Sequence, residues 1–137
     1  MTRTLCFCMF ICVQILCVAF NMNDCVFCKI IADEIPSNKV YEDEYVYAFY
    51  DIAPKAKTHI LLIPKLHFEG AAQVDEGNSV YVARIYQVIA KLVKELGVQD
   101  GFRVVTNCGP KAGQTVYHLH FHLMADDTEE FRSTIQF

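Results

Sequence analysis

The sequence predicts an α+β domain in which one long amphipathic helix covers an antiparallel sheet. Short β-rich runs separated by turn residues lie on both sides of a helical stretch, and such spacing favours neighbouring antiparallel strands. The helical stretch is identified by apolar residues that recur at the period of one helix face. The chain has 137 residues, 53% of them hydrophobic, which suffices for one modest core. We therefore expect one domain, at residues 22–137, after an extension at residues 1–21.

Three strands are predicted before the helix. Residues 40–44 and 45–51 are β-rich runs joined at an acidic turn, and residues 59–63 form an apolar run that ends at Pro64. Because the connections between these runs are short, we expect an antiparallel meander.

The helix is predicted from five apolar residues at helical spacing: Val82, Ile85, Ile89, Leu92 and Leu96. Asn78 and Ser79 are candidate caps at its start, and Gly97 is expected to end it.

The last predicted unit is a hairpin with strands at residues 102–106 and 117–125. The loop between them, residues 107–115, contains two glycines and ends at Thr115. Such a loop can bring backbone amides and a hydroxyl together around a phosphate. A simple hairpin connection is the alternative interpretation.

Charge limits the class of partner. The formal net charge is −4 and the sequence pI is about 5.7, so a broad basic surface for nucleic acid is not expected. A single nucleotide needs only a local phosphate cradle, so a small anionic ligand stays possible.

The N-terminal extension is strongly apolar. Residues 5–20 are interrupted only by Gln14 and preceded by Arg3, which is typical of a signal-peptide core and short for a membrane span. No A-x-A cleavage site follows, and Met22 begins a plausible soluble domain. We prefer an upstream start outside the translated protein over export. No membrane partner is expected for residues 22–137.

Three histidines alternate with apolar residues in the last predicted strand. Successive side chains of a strand point to opposite faces, so His118, His120 and His122 share one face and the apolar residues between them the other. Imidazole has an unperturbed pKa near neutrality. This cluster, with His59 elsewhere in the chain, therefore suits proton transfer, nucleophilic attack or metal ligation.

Cys25 and Cys28 form a CxxC motif. A redox pair would normally follow a strand in a βαβ context, which is absent from the predicted elements, so half of a zinc site is the better functional interpretation. His67 and His118 are available as further ligands for a tetrahedral site. Two buried small side chains without a metal are the alternative.

The pattern of three alternating histidines at 118–124 resembles the histidine triad (HIT) superfamily of nucleotide hydrolases and transferases. The resemblance extends through FCKIIADEIPSNKVYEDE, AFYDIAPKAKTHILLIPKLH, FRVVTN and AGQTVYHLHFHL, from about residue 24 to 125. It is strongest to the branch that cleaves purine nucleoside phosphoramidates. It implies a HIT-like fold with a five-stranded antiparallel sheet, one long and one short helix, and a homodimer.

The resemblance implies a role for each residue of the reacting group. His120 would attack the α-phosphorus and form a nucleotidyl intermediate. His122 would bind the phosphate, and Thr115 and the Gly113 amide would stabilise its charge. The main chain of His118 would hold His120, and His59 would orient the side chain of His118.

The resemblance also implies binding positions for a purine nucleotide. Asp51 would bind the ribose hydroxyls and Asn107 the phosphate or ribose. The base would lie among apolar side chains, for which ordinary core packing is the alternative: Phe27, Ile30, Ile35, Phe49 and Ile52.

Members with a CxxC motif at this point hold structural zinc, and the matching ligands here are Cys25, Cys28, His67 and His118. Such a site favours a reducing compartment, so we expect the cytoplasm. No organic cofactor is expected.

Three alternative functions stay open. Dinucleoside polyphosphate hydrolases share the triad, and a nucleotide-binding regulator could carry the same residues. A metalloenzyme would use His118, His120 and His59 as candidate ligands. Residues 126–137 are acidic and lack the tryptophan found in many phosphoramidases, which leaves the leaving-group specificity open.

Overall fold

The structure is a computed structural model that describes residues 24–133, so the predicted extension lies outside the described residues. The α+β prediction is confirmed, because five antiparallel strands form one sheet. The strands are β1 (Lys39–Glu42), β2 (Val46–Tyr50), β3 (Thr58–Pro64), β4 (Arg103–Val105) and β5 (Phe121–Ala125). The helices are α1 (Val26–Ile31), α2 (Ser79–Glu95) and α3 (Glu129–Ser133), with single 3-10 turns at Ala71–Gln73 and Pro110–Ala112.

The strand order in the sheet is β1-β2-β3-β5-β4. The predicted meander is therefore confirmed as β1-β2-β3, and the C-terminal hairpin adds to it through β5. This order encloses the histidine strand between β3 and β4, which fixes its register from both sides.

The sheet has a different apolar layer on each face. Buried residues of α2, among them Ile85, Val88 and Leu92, pack on one face with Leu62 and Leu123. A smaller cluster on the other face lies beneath α1. Its buried members are Phe27, Ile30, Tyr47, Phe49, Leu61 and Ile63. The polar site develops beside this second cluster.

The long helix begins at Ser79 after Asn78, and Gly97 follows its C-terminal end with φ of 68°, as predicted. The Asn78 side chain makes no capping hydrogen bond. Its oxygen accepts from the Asp75 N–H and its amide donates to the Gln73 carbonyl. Asn78 therefore stabilises the turn before the helix rather than the first helical turn.

The histidine strand is shorter than predicted. Regular pairing with β3 begins at Phe121, opposite Leu62, instead of at residue 117. Continuing that register would bring Pro64 opposite Leu119, and proline has no N–H to donate. The Leu119 N–H donates instead to the Phe68 carbonyl at 2.7 Å. Residues 118–120 are thus held by a loop while their side chains still alternate.

Asp43 separates β1 from β2, which explains why β1 ends earlier and β2 begins later than predicted. One carboxylate oxygen accepts from the N–H groups of Tyr45 and Val46, each at 2.8 Å. The other accepts from the Tyr41 hydroxyl and from Arg84 of α2. Burial acts to raise the pKa of Asp43, but the Arg84 guanidinium and the other donors outweigh it and lower the pKa to about 2.

Among the described residues, no helix combines the length and apolar character required to cross a bilayer.

We predict that Asp43→Ala lowers the free energy of unfolding by roughly 2–4 kcal/mol, because it leaves two N–H groups and Arg84 without their acceptor. Urea denaturation provides the measurement. The exposed neighbour Glu44 is the matched control, and Glu44→Ala should stay within about 0.5 kcal/mol of the parent chain. Equal stability of the two variants would contradict the conclusion that the hydrogen bonds of Asp43 stabilise this turn.

Candidate active site and metal centre

The three histidines point away from the α2 layer, as the alternation predicts. Leu119 and Leu123 lie in the core beneath α2, whereas the Phe27 ring of the opposite layer contacts two of the imidazoles. Its centroid lies 5.9 Å from that of His118 and 5.3 Å from that of His120, both edge-on. His118 and His120 are buried. The site is therefore a row of imidazoles against an aromatic side chain.

His120 carries one fixed proton and one bare nitrogen. Its Nδ1 lies 2.8 Å from the carbonyl oxygen of His118. A carbonyl can only accept, so Nδ1 donates and the lone pair of the neutral ring lies at Nε2. The carbonyl of His120 itself accepts from the Thr106 hydroxyl at 2.8 Å. The predicted hold of the His118 main chain on His120 is thus confirmed.

His59 contacts His122, so the prediction that it orients His118 is wrong. The register pairs His59 with Met124, and the diagonal neighbour on the same face of β5 is His122. The His59 Nε2 lies 2.8 Å from the His122 Nδ1. His118 lies four residues before His122, and its side chain contacts Cys25 and Cys28 instead.

A backbone donor fixes the protons of both rings. The Lys55 N–H donates to the His59 Nδ1 at 3.0 Å, so the proton of neutral His59 is on Nε2. That proton is donated to the Nδ1 of His122, and the remaining His122 proton is therefore on Nε2. His122 presents an N–H donor from a ring that lies 5.1 Å, centroid to centroid, from the ring of His120.

Both rings stay neutral at physiological pH. Burial lowers the pKa of His122 to about 4, and the proximity of His120 and His59 adds to the effect. Burial also lowers the pKa of His59, although the Asp51 carboxylate acts in the opposite direction. His122 is therefore a neutral hydrogen-bond donor at pH 7.

Asp51 joins this chain of hydrogen bonds from the side. Its Oδ2 lies 3.5 Å from the His59 Nε2, and its Oδ1 accepts from the Ala53 N–H. Asp51, His59 and His122 offer three potential metal ligands. Their hydrogen bonds already use both nitrogens of His59 and the Nδ1 of His122, so a proton-holding chain describes the trio better than a metal site.

The apolar residues assigned to the base differ in exposure. Phe27, Ile30 and Phe49 are buried in the cluster beneath α1, and Ile35 packs against it from its edge. Ile52 is 99% exposed. Core packing thus accounts for the buried residues without a ligand, whereas Ile52 has its side chain free for one.

The predicted phosphate loop begins at Asn107, which is half-buried after β4. Gly113 has φ of 83°, a left-handed conformation that favours glycine, and Thr115 is exposed. The loop leads directly into the histidine segment.

The structure brings the four predicted metal ligands together. Cys25 is the N-terminal cap of α1, and the N–H of Cys28 points to its sulfur at 3.4 Å. The Sγ atoms of Cys25 and Cys28 lie 3.5 and 3.6 Å from the His118 Nδ1. The Nδ1 of His67 lies 3.3 Å from the Cys28 Sγ and 3.1 Å from the His118 Nδ1.

A tetrahedral zinc site places its ligand atoms about 3.3–3.8 Å apart for the usual Zn–S and Zn–N bond lengths. The four distances here, 3.1 to 3.6 Å, lie in or close to that range. The Nε2 of His118 donates to the Pro64 carbonyl at 2.8 Å, so its Nδ1 lone pair faces the sulfurs. Without a cation, burial and the adjacent Cys25 raise the pKa of the Cys28 thiol to about 12.

The alternative metalloenzyme with His118, His120 and His59 as ligands is contradicted by this geometry. The His118 Nδ1 faces the cysteines, and the His120 Nδ1 donates to a carbonyl. Both nitrogens of His59 are held by other partners. The three rings therefore offer no common position to one ion.

The model of the HIT domain family matches residues 32–129. The chain belongs to this family. It is 42% identical over 103 residues to Protein HitA of Neisseria gonorrhoeae, which covers 75% of this chain and 96% of that protein. It is 48% identical over 101 residues to the 14 kDa zinc-binding protein of Zea mays, covering 72% of this chain and 79% of the relative.

Among solved structures, the HIT family hydrolase from Clostridium thermocellum matches with a TM-score of 0.74 and 45% identity. The match covers 77% of this chain and 93% of that one. The resemblance seen in the histidine segment thus extends to the whole HIT fold.

We predict that the imidazole of His122 titrates with a midpoint near pH 4 and carries its proton on Nε2 above it. Nitrogen-detected NMR of the histidine rings gives both the midpoint and the tautomer. In His120→Asn the midpoint should rise but stay below the ordinary value of 6.5, because burial remains. A midpoint near 6.5 in the parent chain would contradict the described surroundings of His122.

Proposed function

We propose that this chain is a hydrolase that cleaves nucleoside phosphoramidates, or related conjugates of nucleoside monophosphates, at the α-phosphorus. The observation that carries the proposal is the state of His120. Its Nδ1 proton is held by a carbonyl and its Nε2 lone pair is bare, beside the neutral donor His122. A neutral imidazole in this state is a good nucleophile and a competent leaving group.

The reaction proceeds in two displacements. The Nε2 of His120 attacks the α-phosphorus, the bond from phosphorus to the leaving amine breaks, and a nucleotidyl-histidine forms. The leaving amine takes up one proton from solvent, while neutral His122, which has a single ring proton on Nε2, stays a hydrogen-bond donor to the phosphate. Water then attacks the phosphorus, the bond to His120 breaks, and one proton of the water is released to solvent. The nucleoside monophosphate leaves and neutral His120 is restored.

Charge on the phosphate oxygens is stabilised by the loop before the histidine segment. The Gly113 amide and the Thr115 hydroxyl are the donors proposed for this role. Asn107 lies at the start of the same loop, and Asp51 is proposed to bind the ribose hydroxyls. The exposed side chain of Ile52 is free to cover a purine base.

We further propose that Cys25, Cys28, His67 and His118 hold a structural zinc ion. The support is the convergence of two sulfurs and two nitrogens within 4.8 Å of one another, together with the zinc-binding relative of Zea mays. When bound, zinc stabilises the thiolates and ties the N-terminus of α1 to the histidine segment.

We also propose that the chain forms a homodimer and resides in a reducing compartment. Val80 and Tyr86 are large side chains that α2 leaves exposed, and β4 is an edge strand of the sheet. Both features suit a second copy of the chain. The described cysteines are free thiols, which accords with the cytoplasm.

The direct test of the nucleophile is His120→Gly. With an adenosine phosphoramidate as substrate, kcat should fall by about 10³-fold or more, while AMP binds with similar affinity. Added imidazole should restore part of the rate, because it can occupy the vacated position and attack the phosphorus. A kcat near that of the parent chain would refute the proposal, and so would equal stimulation of the parent chain by imidazole.

The metal is tested with a matched pair of cysteine variants. Cys28→Ser should lose bound zinc, measured by elemental mass spectrometry, and more than about 2 kcal/mol of unfolding free energy. Cys108→Ser, at an exposed cysteine outside the cluster, should keep both. Turnover per folded molecule should change less than stability in Cys28→Ser. A melting temperature unaffected by zinc removal would contradict a structural role.

A further inference from the structure

The loop that carries the proposed phosphate donors has one buried residue. Gln114 is 6% exposed, whereas its neighbours Lys111, Ala112, Gly113 and Thr115 are all exposed. Because this loop buries so few side chains, its conformation depends mainly on hydrogen bonds. Gln114 lies in the segment AGQTVYHLHFHL, which carries the family resemblance, but no role was expected for it.

Gln114 closes the loop onto its own beginning. The Gly109 N–H donates to the Gln114 Oε1 at 2.7 Å, and the Gln114 N–H donates back to the Gly109 carbonyl at 3.1 Å. This reciprocal pair encloses the 3-10 turn Pro110–Ala112. Gly109 has φ of 81°, so the turn also depends on a conformation that favours glycine.

The amide group of Gln114 then ties the closed loop to the rest of the site. Its Nε2 donates to the Glu69 carbonyl at 2.6 Å and to the Val116 carbonyl at 3.0 Å. Glu69 follows His67 of the metal cluster and Phe68, whose carbonyl accepts from the Leu119 N–H. One side chain therefore connects the loop, the segment after the metal cluster and the start of the histidine segment.

We infer that Gln114 is a positioning residue for catalysis, which fixes the Gly113 amide and the Thr115 hydroxyl where they stabilise charge on the phosphate. This inference rests on the proposed function. Gln114 lies between the two donors in the chain. Its side-chain oxygen accepts one hydrogen bond, and both of its amide protons are donated. A group that accepts once and donates twice at this length is a primary amide, so glutamate and methionine cannot replace it.

The inference predicts an effect on the transition state rather than on ground-state binding. Donors shifted by a fraction of an ångström stabilise developing charge poorly, whereas binding of a product with several other contacts changes little. Gln114→Glu retains the acceptor for Gly109 and turns a carboxylate oxygen towards two carbonyls. Gln114→Met retains the volume and removes every hydrogen bond of the side chain.

The experiment combines kinetics with amide hydrogen exchange on the full chain. In both variants we expect kcat for an adenosine phosphoramidate to fall about 10–100-fold per folded molecule, with the affinity for AMP changed less than about threefold. AMP should slow exchange at residues 113–115 in the parent chain and fail to do so in the variants. Gln99→Met, at an exposed glutamine, is the control and should match the parent chain.

The outcomes separate this inference from the proposed function. A parent chain without turnover refutes the proposed function, while protection by AMP still decides the role of Gln114. Equal protection at residues 113–115 in the parent chain and the variants overturns the inference. So does a parent chain in which AMP gives no protection there, or a lower melting temperature in the variants with unchanged kcat per folded molecule.

Discussion

The burial of alternate residues in the histidine segment is the constraint on which the site depends. Leu119, Phe121 and Leu123 are at most 5% exposed beneath α2. A slip of one residue would exchange the two faces and put imidazoles into an apolar core. The register of β5 against β3 and β4 therefore fixes the position of His122, and the hydrogen bond from the Leu119 N–H to the Phe68 carbonyl holds the neighbouring His118 and His120. The hydrophobic effect that stabilises the fold therefore also sets the direction in which the imidazoles point.

Backbone groups give three histidines three different chemical states. The His118 carbonyl holds one proton of His120, the Pro64 carbonyl holds one of His118, and the Lys55 N–H occupies one nitrogen of His59. The remaining ring nitrogen is the proposed nucleophile in His120 and a proposed metal ligand in His118, and in His59 it donates to His122. Because each main-chain group has only one possible role, the tautomers follow from the fold. His118 links the two centres, since its side chain faces the cysteines and its carbonyl holds His120.

The parts of this arrangement that depend on local period were predictable from the sequence. The alternation of residues 118–122, the long helix and the meander follow from spacing, and the Cys₂His₂ set follows from family resemblance. The partner of His59 was not predictable, because it depends on the register between two strands. Gln114 and Asp43 were missed for a related reason: their hydrogen bonds join segments that only the fold brings together. Periodicity also cannot separate a core residue such as Phe27 from a base-binding one.

The central claim is that His120 becomes covalently bonded to phosphorus during turnover. The most direct measurement is mass spectrometry of the chain quenched within the first turnovers of an adenosine phosphoramidate, with peptide mapping of the modified residue. We predict an adenylate adduct on His120 that disappears as AMP is released. Turnover without any adduct under conditions that trap the intermediate, or an adduct on another residue, would contradict it.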